Sequence, residues 1–129
     1  MGAIVLCFVE IYNPDADDNQ TTCLAEFHIP RDRDLLAALG WRTPEGQTPF
    51  RKPRGLPPNP SFEFMHEHEE GEDFVTWMTP KEIGSLYLHW KIRQPADAPR
   101  CLPFELMVDM LLAAKTPHPH RLRVVWNIS

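Results

Sequence analysis

Apolar residues recur at two different periods along this chain, and the switches between them outline its elements. "GAIVLCFVEIY" is apolar on both alternating faces, with Ile4, Leu6 and Phe8 pointing one way and Val5, Cys7, Val9 and Ile11 the other. That pattern predicts a central strand covered on both sides. Glu10 falls on the first face near the strand's end, where a carboxylate can reach solvent or a partner. "NPDADDNQ" reads as a polar loop and "TTCLAEFHI" as a second strand, with Cys23, Ala25, Phe27 and Ile29 apolar and Thr22, Glu26 and His28 opposite. Two strands joined by a short polar loop predict an antiparallel hairpin.

The period then changes. "RDRDLLAALGW" predicts a short helix capped by Asp32, with Leu35, Leu36 and Leu39 as its stripe and Gly40 at the left-handed C-terminal position. "TPKEIGSLYLHW" carries a fuller helix signal. Thr79 is the N-cap, Pro80 fills the first turn, and Glu82 completes a capping box. Ile83, Leu86, Tyr87 and Trp90 follow at helical spacing. "LPFELMVDMLLAAK" predicts a third helix, apolar at Phe104, Met107, Val108, Leu111 and Leu112. Leu106, Met110 and Ala114 widen that face, which suits deep burial or contact with a partner chain. "RLRVVWNIS" predicts a last strand with Leu122, Val124, Trp126 and Ile128 on one side. It is expected beside the first strand, since both are too apolar for a bare edge.

The order is β-β-α-loop-α-α-β, an α+β fold with a small, mostly antiparallel sheet and about three helices. At 129 residues it is expected to be a single domain over 1–129. No period survives from Arg42 to Ser61, and six of the 14 prolines fall between Pro44 and Pro60, so a long extended loop is expected over 42–61.

Composition narrows the function classes. The net charge of −5 argues against a nucleic-acid partner, because neutralising phosphates takes a basic face. It leaves room for a small anionic ligand held by a few arginines. Three irregularly spaced cysteines argue against a disulfide framework and fit a cytoplasmic setting. The longest apolar run, Ala3 to Val9, is too short for a membrane span and lacks a leader's basic start and cleavage signal.

Arg51, Lys52 and Arg54, following Phe50, form the best candidate contact for an anion, because guanidinium forks suit phosphate and carboxylate. The alternative is a solvated loop that pairs with the acidic segment at 63–73. Trp41 and Trp77, near loop ends, are candidates for stacking on a ligand, against the commoner fate of core packing. His66 and His68 in "MHEHEEGED" would share a face on a strand and grip a divalent transition metal such as zinc or manganese. His118 and His120 form a second such pair. Six acids among the eleven residues 63–73 also allow a hydrated acidic turn with incidental histidines. The aspartates of "DADDNQ" lack the glycine and closing glutamate of a calcium loop. Catalysis finds little support, with Cys7 and Cys23 on strand faces and no nucleophile elbow or phosphate loop.

"MGAIVLCFVE", "RDRDLLAALGW", "PRGLP", "FVTWMTPKEI" and "HRLRVVWNIS" occur in that order over nearly the whole chain. Together they resemble a family of small uncharacterised phage and bacterial proteins with no established activity. Members of that family usually begin Met-Gly-Cys-Asp-Ile-His, where this chain has Ala3, Ile4 and Leu6, and carry a histidine where Asp73 stands here. Chemistry resting on those positions is not implied for this chain. The resemblance implies a small soluble phage-type or bacterial protein, and a phage context suggests interference with host defence.

Two functions follow. The first is a non-catalytic binding protein, a homo-oligomer with no cofactor, which sequesters a small nucleotide-like ligand or blocks a host protein. The alternative is a metal-dependent hydrolase built on His66 and His68 with Glu67 and Glu69, the metal supplying activated water.

Overall fold

The computed structural model describes residues 3–12, 21–114 and 121–129. Strands β1 (Val5–Tyr12), β2 (Thr21–Ile29), β3 (Phe74–Met78) and β4 (Leu122–Ile128) form one antiparallel sheet in the order β2-β1-β4-β3. The helices are α1 (Arg33–Leu39), α2 (Phe62–Glu67), α3 (Pro80–Lys91) and α4 (Leu102–Ala113). The fold is the expected α+β arrangement, and the first and last strands pair in the centre as anticipated. No helix among the described residues is long and apolar enough to cross a membrane.

Period-2 alternation divides β1 and β4 cleanly. Val5, Cys7 and Val9 meet Ile128, Trp126 and Val124 across the register and face α1, α3 and α4. Phe104 of α4 packs edge-on against Trp126 at 6.0 Å, and Leu35, Leu39, Ile83, Leu86 and Met107 complete this core. The other face carries Phe8 and Val125, closed by Phe64 of α2, whose ring stands 5.4 Å from Phe8.

One residue changes sides relative to the sequence pattern. The β1–β2 register slips between Val9 and Glu10, so Ala25 pairs with Val9 but Cys23 pairs with Glu10. Such a bulge reverses the facing of everything beyond it. Cys23 therefore joins the Phe8–Phe64 cluster and not the side shared by Ala25, Phe27 and Ile29.

Two elements are additions to the expected order. α2 has only six residues, too few to persist alone. It is held at both ends by polar side chains of the sheet. Ser61 caps it by accepting from the Phe64 amide, and the Ser61 amide donates to Glu10 at 3.0 Å. Arg123 donates to the other Glu10 oxygen at 2.9 Å and to the Asn59 carbonyl at 2.9 Å. Glu10 and Arg123 are both buried, so the carboxylate at the strand's end has an internal partner. At the far end His68 and Asn127 bond at 2.7 Å, and Asn127 donates to Asp73. β3 follows as the short fourth strand.

α4 buries Phe104, Met107 and Leu111, while Leu102, Leu106 and Leu112 stay exposed. Its inward stripe is narrower than the apolar sequence suggested.

α1 begins at Asp32, which accepts from the Leu35 amide, and ends in a left-handed turn at Gly40 with φ +98°. The Gly40 amide donates to Ala37 and the Trp41 amide to Leu36, the paired bonds of a Schellman stop. Pro53 packs on the bare α-carbon of Gly40: a Cβ there would stand 2.5 Å from the Pro53 ring. Gly40→Ala therefore combines an unfavourable backbone with a steric clash. Urea unfolding is expected to show a loss of about 2–3 kcal/mol.

Candidate functional site

The loop over 42–61 is long but tied down. The Phe50 amide donates to Ala38 at 2.8 Å, and the Phe50 ring lies 4.9 Å from His89. Further on, Arg54 grips Glu82 in a two-pronged pair at 2.6 and 2.7 Å and donates to the Trp77 carbonyl at 3.0 Å. Its amide donates to Thr76, so this segment covers part of the free edge of β3. Arg51 also pairs with Glu82. Glu82 is buried, and its Oε1 also accepts from the Thr79 amide in the capping box. Burial alone would raise its pKa; the Arg54 hydrogen bond and the Thr79 contacts outweigh that and bring it from 4.5 to about 2.

The basic cluster is therefore largely spent inside the molecule. Arg51 and Arg54 share Glu82 of α3 and do not pair with the acidic segment at 63–73. Lys52 is exposed. Trp77 is half-buried, with the Arg54 guanidinium 4.8 Å from its ring centre.

The histidines separate as well. His66 lies within α2, on which Phe62 stacks at 6.1 Å, whereas His68 ends the helix. His68 stacks on Phe64 at 5.0 Å and spends Nδ1 on Asn127, whose Oδ1 accepts, so that nitrogen carries the proton. Asp73 takes the Asn127 amide and the Glu69 backbone amide. Among the described residues no group of three or more His, Cys, Asp or Glu is placed to hold a metal ion. His118, His120 and the "DADDNQ" aspartates lie outside the described residues.

The thiols are poor nucleophiles. Burial pushes the Cys7 and Cys101 pKa values up, and raises Cys23 to about 11 with help from Glu63 and Glu10. A thiol of that kind is protonated at neutral pH.

One concave surface gathers ligand-type chemistry. A cleft of about 410 Å³ is lined by Arg31, Arg33, Leu36, Ala37, Trp41, Arg42 and Pro44. The Schellman stop builds it, because the Trp41–Leu36 bond folds the residue after Gly40 back beside the helix. Thr43 fixes the next step, its hydroxyl donating to Ala37 at 2.9 Å. Arg42 has φ +50° and lays its guanidinium 4.3 Å from the centre of the Trp41 ring.

Arg31, Arg33 and Arg42 have no carboxylate partner among the described residues, and no acid lines the cleft. Asp32, which sits between two of them in sequence, is turned away into the helix cap. Of the five ligand candidates named from sequence, Trp41 lines this cleft. Arg31 and Arg33 escape a sequence reading because "RDRD" looks charge-balanced, and Arg42 because it stands alone in "GWRTP". The signal that could have found Arg31 and Arg33 was already there: a capping aspartate points at backbone amides, leaving its basic neighbours unneutralised.

A scan of protein-family models, a search of curated proteins and a search of solved structures each found no match to this chain.

The Glu82 ion pairs give a pH test. A carboxyl with a depressed folded pKa contributes stability that is complete above its unfolded pKa and vanishes as pH falls through the folded one. Glu82→Gln is expected to cost about 2 kcal/mol at neutral pH, the worth of hydrogen bonds to a charged group. The gap between wild type and variant in urea should hold above about pH 5 and close as pH falls towards about 2.

Proposed function

We propose that this chain is a non-catalytic binding protein whose cleft between α1 and the 41–44 turn holds a small anionic ligand. The observation that carries the reading is the set of three arginines, free of carboxylates among the described residues, around an aromatic-walled cleft. Guanidinium groups left without anions at a concave surface are suited to phosphate or carboxylate, which they engage through planar, two-pronged hydrogen bonds. The cleft also has the mixed apolar and polar lining and the size of small-molecule sites.

The negative net charge complements this. A long polyanion meets repulsion over most of the surface, while a small anion meets only the local field. In the phage-type setting implied by the sequence resemblance, such a cleft would sequester a signalling anion from host defence. That setting is carried by the resemblance and not by the cleft.

Homo-oligomerisation belongs to the same proposal, supported by Leu88, Ile92, Leu102, Leu106 and Leu112, which all stand exposed on α3, its C-terminal end and α4. Light scattering on a sizing column should return a mass above 14.9 kDa, and a monomer at every concentration removes this part.

The ligand reading is checked with pyrophosphate as a probe. Calorimetry at low salt should show saturable binding to wild type. Arg31→Ala combined with Arg33→Ala should weaken it at least tenfold while the melting temperature changes little, because both side chains are exposed. Binding that is indifferent to both substitutions would remove the cleft from consideration.

A further inference from the structure

We infer that the ligand class of this cleft is a nucleoside phosphate, its base stacked on the Arg42–Trp41 pair and its phosphate held by Arg31 and Arg33. The inference rests on the anion-binding reading above and specifies the rest of the ligand.

Three features point beyond a bare phosphate. The first is space. A cleft of about 410 Å³ falls within the usual range for drug-sized ligands, roughly 300–1,000 Å³, and far exceeds the room one phosphate group needs.

The second is the division of labour among the arginines. Arg31 and Arg33 flank the start of α1, and among the described residues neither guanidinium lies over an aromatic ring, so they present charge and donors. Arg42 is different. Its guanidinium lies over the Trp41 ring at 4.3 Å, and Trp41 in turn packs against the main core. The plane is thus backed by a ring that cannot retreat, while Arg42 itself remains exposed. Flat guanidinium groups and aromatic rings are the surfaces on which proteins stack nucleobases.

The third is backbone. Arg42 holds its positive φ in a turn fixed on both sides by the Trp41–Leu36 and Thr43–Ala37 bonds. A side chain rarely adopts that conformation unless its surroundings impose it. Here the imposed turn lays the guanidinium across the ring.

The lining also bounds the specificity. Among the described residues it contains no amide or hydroxyl side chain to read the edge of a base. Stacking alone tolerates every base. The site should discriminate strongly on the presence of a base and on phosphate charge, and weakly between purines.

The test compares adenosine monophosphate, guanosine monophosphate and ribose 5-phosphate by calorimetry, against wild type and Arg42→Lys. Lysine keeps the charge and loses the plane. In wild type both nucleotides should bind about tenfold more tightly than the sugar phosphate and within about threefold of each other. In Arg42→Lys the ratio of nucleotide to sugar-phosphate affinity should fall below about threefold. Equal binding of ribose 5-phosphate and the nucleotides to wild type would overturn the nucleoside assignment while leaving the anion site standing. A base advantage that survives in Arg42→Lys would overturn the stacking role of Arg42. Failure of all three probes, together with pyrophosphate, would overturn both.

Discussion

One carboxylate sets the path of the longest loop. Glu82 sits in the first turn of α3, where its Oε1 completes the capping box, and its two oxygens also receive Arg51 and Arg54 from more than 25 residues away. A local rule of helix initiation is thereby joined to a long-range constraint. The grip fixes the loop's middle at β3, the Phe50–Ala38 bond and the Pro53–Gly40 contact hold it against α1, and Glu10 and Arg123 take its far end at Ser61 and Asn59. A connection of this length would otherwise be free to move. Pinned in this way, it holds the turn at 41–44 in place, and with it Trp41 and Arg42. Arg51 and Arg54, which look like a ligand site in sequence, anchor the loop, whereas Arg31 and Arg33, set among aspartates, line the cleft with Arg42.

Legibility in the sequence followed the range of the interactions. Caps and stops are local, so Asp32, Gly40, Thr79 and Glu82 were each readable with their roles. The two central strands were readable because an unbroken apolar run has few alternatives. α2 was not. Its six residues carry one buried side chain, Phe64, and its stability comes from Glu10, Arg123 and Asn127 on strands far away in sequence. β3 was missed because it is short and sits between a glycine turn and a strong helix cap. The facing of Cys23 depended on a one-residue bulge, which no pattern in "TTCLAEFHI" announces. For the cleft, Trp41 was legible as an aromatic at a loop end, but Arg31 and Arg33 were not, since formal charge counts Asp32 equally whether it faces solvent or a helix amide.

The second face of the sheet shows why a polar interior can be tolerated. Glu10 and Arg123 are both fully enclosed, and a buried ion pair seldom repays its desolvation by attraction alone. Here each ion has a further hydrogen bond, Glu10 from the Ser61 amide and Arg123 to the Asn59 carbonyl, and the guanidinium lies 5.0 Å from the Tyr12 ring centre. The pair therefore determines where the chain must pass as it enters α2. Replacing it with apolar residues would keep the volume and lose the address. A helix with a single buried anchor needs that address more than it needs added hydrophobic area.

The two faces also keep the acidic segment at 63–73 apart from the arginines of the cleft. The acidic residues around α2 lie over the Phe8 face, whereas α1 packs its leucines on the face of Cys7 and Trp126 and leaves its arginines exposed. Between them run two packing layers, each about 10 Å thick. Exposed charges that far apart are largely screened at physiological salt, where the Debye length is about 8 Å. The acidic segment can thus dominate the net charge without neutralising the cleft. Had α2 been placed on the helical face, its carboxylates would have been within reach of Arg31 and Arg33, and the site would have been internally satisfied as Arg51 and Arg54 are. The separation of polar clamp and arginine cleft onto opposite sides of one sheet is what leaves three guanidinium groups available to a ligand.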